Sequence, residues 1–116
     1  MKLMHYTEET PKRIDNDVAK GVSARLLIGK KDGAENFCMR LFQLDPGGHT
    51  PLHTHTWEHE IFFHQGKGDI FLGDSWKPVS EGSAAFVPGN LEHQIRNTGK
   101  DVLSFVCLIP SGYPEL

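Results

Sequence analysis

The chain has 116 residues, enough for one hydrophobic core and too few for two. Its formal net charge is −3, with 12 Lys and Arg against 15 Asp and Glu and no basic run, which argues against a nucleic-acid partner. No stretch approaches the ~20 apolar residues of a membrane span, and the opening MKLMHYTEETPKR lacks the apolar core of a secretory signal.

The expectation is therefore a cytoplasmic protein with no membrane partner. Cys38 and Cys107 lie in predicted strands without C-x-x-C spacing, and in that compartment they are expected to be buried and reduced, with a disulfide between them the alternative.

Residues 7–20, TEETPKRIDNDVAK, are polar and predict an arm or edge segment, so residues 1–21 are read as N-terminal to a domain spanning 22–116. Val22–Ile28 is an apolar run ended by the turn residues GKKDG. Asn36–Leu44, NFCMRLFQL, predicts a strand closed by Asp45-Pro46-Gly47-Gly48. Glu60–Phe63 leads into a turn at Gly66-Lys67-Gly68, and Asp69–Leu72 follows. Gly73-Asp74-Ser75 predicts a tight hairpin connection into Trp76–Val79. Ala84–Val87, His93–Arg96 and Val102–Ile109 complete the series.

Short runs at this spacing, rich in Gly and Pro, predict an all-β sandwich or barrel, and no segment carries a helical apolar stripe. Residues 103–109, LSFVCLI, are apolar at both parities. A strand buried on both faces in so small a domain implies a cover for its outer face, most simply a second copy of the chain, hence a homodimer.

Seven histidines are present, four of them within residues 49–59. The string His53-Thr54-His55-Thr56-Trp57-Glu58-His59-Glu60 concentrates groups that bind metals or move protons. A helical zinc-hydrolase motif needs two histidines four apart with an adjacent glutamate. His59 and His64 are five apart, and the intervening IFF suits a strand, so that chemistry is rejected. In a strand, residues two apart share a face, which lets His53 and His55 point at one centre. For a third ligand, local geometry leaves His59 and Glu60 both open.

Two blocks extend the pattern. The first runs from Gly47 through His53-Thr54-His55 to Gly66, and the second from Gly82 through Pro88-Gly89-Asn90-Leu91-Glu92-His93 to Asn97. They resemble the two signature motifs of the cupin superfamily, G-x5-H-x-H-x3,4-E-x6-G and G-x5-P-x-G-x2-H-x3-N. The resemblance spans about residues 22–109 when the strand pattern is counted, and it implies a single-domain double-stranded β-helix, the jelly-roll barrel. In the first motif the acidic ligand precedes the final glycine by six residues, and counting back from Gly66 gives His59. The resemblance thus implies histidine in place of glutamate and a ligand set of His53, His55, His59 and His93, similar to small microbial cupins with four-histidine sites. Glu60 would then face away, as an outer hydrogen-bond acceptor or a solvated charge. In the second motif, Gly89 stands one position before the expected glycine.

Four neutral imidazoles suit a divalent transition metal: manganese is favoured within this family, with iron, zinc, nickel and copper open to the same donors. The lack of thiolate ligands argues against a purely structural zinc site. On the Asn36–Leu44 strand, Cys38, Arg40 and Phe42 share one face and Phe37, Met39 and Leu41 the other. Burying the second set would leave Arg40 in solvent. The preferred reading brings Arg40 and Phe42 to the metal pocket, where the guanidinium could hold a carboxylate or peroxide anion, and packs the opposite face on another subunit. Parity also places Phe105 and Cys107 together, over the same pocket. His49 is expected at the barrel mouth, and His64 and His5 at the surface or an interface.

The resemblance implies either a metal-dependent oxidoreductase using dioxygen or peroxide on a small organic molecule, or a non-catalytic metal-stabilised sensor. Sugar-isomerase cupins are a third group, but their polar barrel interior matches these Phe-rich strands poorly.

Overall fold

Side chains along the short apolar runs alternate between buried and exposed, and the strands curl so that the buried set meets in one interior. The computed structural model describes residues 1–116 and contains nine strands, all paired antiparallel, with only two short 3-10 turns. These are β1 (Lys12–Ile14), β2 (Lys20–Ile28), β3 (Phe37–His49), β4 (His59–Gln65), β5 (Lys67–Leu72), β6 (Ser75–Ser80), β7 (Ala84–Val87), β8 (His93–Asn97) and β9 (Leu103–Pro110). The spatial order is β6-β5-β8-β3-β9-β4-β7, with β2 on the other edge of β3 and β1 on β2. This is the all-β barrel expected. No helix is long and apolar enough to cross a membrane.

The polar N-terminal segment supplies β1, an edge strand in register with β2 from Lys12 opposite Ala24 to Ile14 opposite Val22. Strand β3 corrects one expectation. Asp45-Pro46-Gly47-Gly48 does not close the strand, which continues through those residues to His49. Residues Phe37–Leu44 pair with β9, whereas His49 pairs with Arg96 of β8, so β3 joins the two parts of the curled sheet. The turn-forming residues make the corner. Gly47 has φ +80°, and Gly48 packs directly on the Lys20 carbonyl and on Gly21, itself at φ +62°. A side chain at Gly48 would collide with that backbone, and the register of β2 against β3 shifts at the same place.

The interior is lined by Val22, Leu44, Ile61, Phe63, Ile70, Ile95, Leu103, Phe105 and Ile109, all buried. Along β4, His59, Ile61 and Phe63 point inward while Glu60 and Phe62 point out. Along β3, Cys38 and Arg40 are buried, Phe42 is half-buried and Phe37 is exposed, and Leu41 on the opposite face is also covered. Cys38 and Cys107 are both free and buried.

Candidate metal centre

His59 is the first residue of β4 and His93 the first of β8, so each ring enters the barrel at the start of an inward-facing alternation. His53 and His55 stand in the connection between β3 and β4, not in a regular strand as expected. His53 is held by a single two-way bridge, its backbone N–H donating to His93 O and the His93 N–H donating back, each at 3.1 Å. That bridge brings the two sequence blocks together.

The four rings converge, with one potential ligand atom from each lying within 4.8 Å of all the others. Three rings are fixed from behind by the same local device. Nδ1–H donates to a carbonyl two residues away: His53 to Pro51 O at 2.9 Å, His55 to Trp57 O at 2.8 Å and His93 to Leu91 O at 2.8 Å. A carbonyl only accepts, so each of these Nδ1 atoms carries the proton and each Nε2 presents a lone pair. His93 Nε2 is buried with no protein partner, and His59 Nε2 lies 2.7 Å from His55 Nε2. An orphaned buried nitrogen among converging neutral imidazoles fits a divalent transition cation, since nothing else in the chain satisfies that atom.

Burial favours the neutral form of three of the rings. Burial pushes His59 down to about 2, helped by the Arg40 charge and the neighbouring histidines. Burial pushes His93 down to about 4 against the opposing pull of the Leu91 carbonyl. His55 is lowered in the same way, against the Trp57 carbonyl. Neutral imidazole is the form that ligates.

Over residues 40–109 the sequence matches the family model of the cupin domain. The chain belongs to the cupin family. This cupin is 32% identical over 112 residues to the oxalate-binding protein of Thermotoga maritima, covering 92% of each chain. It superposes on a polyketide cyclase from Streptomyces resistomycificus with a TM-score of 0.90 and 32% identity, covering 98% of this chain and 82% of that one. It is also 30% identical over 71 residues to 1-methylthio-D-xylulose 5-phosphate methylsulfurylase from Rhodospirillum rubrum, spanning 46% of that protein.

The one-residue departure in the second cupin motif has a structural explanation. Asn90 occupies the position where the motif has glycine, and its φ of +67° is the only positive value at a non-glycine residue. Asparagine tolerates that left-handed conformation better than most side chains. Its N–H donates to His55 O at 2.7 Å, tying the second motif to the first. Gly89 packs against the Thr56 carbonyl, where a Cβ would overlap it.

Arg40 does point into the barrel of this cupin, but behind His59. Its Nη2 is 3.2 Å from His59 Nδ1 and 2.9 Å from Cys107 Sγ, on the side of the ring away from the cluster. Cys107 Sγ is itself 3.0 Å from His59 Nδ1. Burial pushes the Cys107 thiol up, with Arg40 pulling the other way. Phe42 stacks on Phe105 at 5.6 Å between centroids and lies 5.0 Å from the Arg40 guanidinium carbon. Phe105 also packs on Phe63 and is buried in the core. His49 sits at the end of β3 beside Gln94, outside the cluster, and His5 and His64 are exposed.

Two residues of the site had no assigned role in the sequence analysis. Trp57 stacks on the His55 ring at 4.2 Å and 8°, and Tyr113 stacks on Trp57 at 4.8 Å. The position of Trp57 between ligand candidates was a usable signal. Nothing local marked Tyr113, which reaches the site from beyond β9.

Proposed function

We propose that this cupin holds one divalent transition metal, manganese in the favoured case, on His53, His55, His59 and His93, and uses it to oxidise a small organic molecule with dioxygen or peroxide in the cytoplasm. The observation that carries the reading is the convergence of four imidazoles with no carboxylate or thiolate among them. An all-imidazole set leaves the ion's charge uncompensated, favouring its reduced state and the binding of anions. When bound, the metal supplies Lewis-acid and redox chemistry.

The protein's contribution is to hold four rings oriented, through the Pro51, Trp57 and Leu91 carbonyls and, for His59, through Cys107. Phe42 and Phe105 form an apolar layer beneath Arg40 that limits water on that side. To test this, the protein is loaded with Mn or Fe and given oxygen or an alkyl hydroperoxide with small aromatic alkenes and diols. The expected result is product formation that His53→Ala abolishes. A second reading, a non-catalytic metal-dependent binding module, is supported by the relative named for oxalate binding. It prevails if loaded wild type and His53→Ala turn over nothing while only the loaded wild type binds a small dicarboxylate.

The outer face of the sheet bears on assembly. Phe37, Phe62 and Phe86 are 69%, 49% and 57% exposed, and with Val106 and Leu108 they form an apolar face on β3, β4, β7 and β9. We assign a second copy of the chain to this face. A twofold contact places a patch against itself, and on this one Phe62 lies between Val106 and Ala84, with Glu60 beside it between Phe86 and Leu108. Sedimentation at micromolar concentration is expected to show a dimer, and Phe62→Asp a monomer. A monomeric wild type would refute the assignment.

A further inference from the structure

His59 differs from the other three histidines in what stands behind its ring. No carbonyl receives its Nδ1. Its partners are Cys107 Sγ at 3.0 Å and Arg40 Nη2 at 3.2 Å. These two can set different tautomers. A guanidinium only donates, so bonding to Arg40 needs a bare Nδ1 and puts the ring proton on Nε2. The Cys107 thiol can donate or accept, but Arg40 Nη2 already donates to its sulfur, and when that sulfur also accepts from His59 it keeps the proton on Nδ1 and leaves an Nε2 lone pair facing the cluster. Arg40 adds to the conflict because it is only 7% exposed, enters none of the chain's ion pairs and has a buried Nε without a partner. Its Nη2 reaches the same sulfur at 2.9 Å.

We propose that Cys107 is a positioning residue for the metal centre, its sulfur accepting hydrogen bonds from His59 Nδ1 and Arg40 Nη2 together and so holding His59 as the tautomer that can ligate. The inference rests on the metal-site reading above. Without the sulfur, Arg40 is the sole partner of His59 Nδ1 and selects the other tautomer. One proton then sits on Nε2 instead of Nδ1 of the same ring, with no change of charge and nothing oxidised, and the fourth ligand is lost. Cys107 thus performs for His59 the task that Pro51, Trp57 and Leu91 carbonyls perform for the other rings. A side-chain acceptor serves here because β4 and β9 run antiparallel with Ile61 opposite Cys107, and their backbone carbonyls are used in the sheet.

The probe is Zn(II) alone, its affinity measured by chelator competition, with ¹⁵N NMR reading the His59 ring tautomer. Cys107→Ala is expected to weaken binding by about 10–100-fold, the range for a lost outer hydrogen-bond partner. Cys107→Ser, whose hydroxyl also accepts, should retain most of the affinity. Adding Arg40→Met to Cys107→Ala should regain most of the loss, because the competing donor is gone. Two independent packing defects would instead add. In wild type loaded with Zn(II), NMR should show the proton on Nδ1 of His59, an observation that requires no variant to fold.

The proposal is overturned if Cys107→Ala binds like wild type, if the serine and alanine variants lose affinity equally, or if the double variant is no better than Cys107→Ala. A His59 proton found on Nε2 in the Zn(II)-loaded wild type also overturns it. Wild type that binds no Zn(II) overturns the metal reading and this one with it. Loss in His53→Ala alongside full affinity in Cys107→Ala removes only the positioning role.

Discussion

His59→Ala is expected to lower metal affinity by on the order of 100-fold or more, beyond the ~10–100-fold that outer partners of a metal site are worth, while Glu60→Gln should leave it nearly unchanged. The reason lies in strand alternation. His59 is buried at the start of β4 and its Nε2 lies 2.7 Å from His55 Nε2, whereas Glu60 is exposed on the other face of the strand, opposite Phe86 and Leu108. A carboxylate there cannot reach the cluster without turning the strand over, which would also turn Ile61 and Phe63 out of the core. Calorimetric titration of both variants decides the matter. A loss at Glu60→Gln equal to or larger than that at His59→Ala would restore the three-histidine, one-glutamate arrangement.

The chelator-treated protein is expected to lose stability steadily as pH falls below 6.5, well before its carboxylates titrate. In the folded chain His93 titrates at about 4 and His59 at about 2, both down from 6.5. The unfolded chain therefore binds protons that the folded chain refuses. Stability is complete above pH 6.5 and is drawn down from there, at most by ~1.4 kcal/mol per pH unit for each ring. The contribution of His93 ends once the folded ring protonates near pH 4, leaving His59 alone to carry the loss further down. Saturating metal should shift the acid midpoint lower, because it binds only the folded, neutral rings. Urea midpoints near pH 7 and near pH 5 measure the effect, and equal midpoints in the chelator-treated protein would refute it.

Where chemistry depended on alternation, it was legible in the sequence. The inward set His59, Ile61 and Phe63 and the outward Glu60 follow from the pleat, as does the shared face of Arg40 and Phe42. What escaped depended on pairing between distant strands. Nothing in the sequence places Cys107 behind His59, since that contact requires β9 to lie beside β4 with Ile61 opposite Cys107. The Asp45-Pro46-Gly47-Gly48 signal was read as a strand end, because the residues that make a turn also make a corner, and only Gly21 packed against Gly48 distinguishes the two. His53 and His55 converge as strand neighbours would, yet they do so from a connection pinned by one bridge and two carbonyls.

The corner in β3 also connects the two halves of the candidate site. His59 enters from the part of the sheet formed by β9, β4 and β7, and His93 from the part formed by β8, β5 and β6. The pairing of His49 with Arg96 is where β3 joins the two parts. Gly47 and Gly48 thus stand on the strand path between the two rings, beside the His53–His93 bridge that ties the histidine blocks directly. A side chain at Gly48, which would meet the Lys20 and Asp45 carbonyls, would displace the strand that links them.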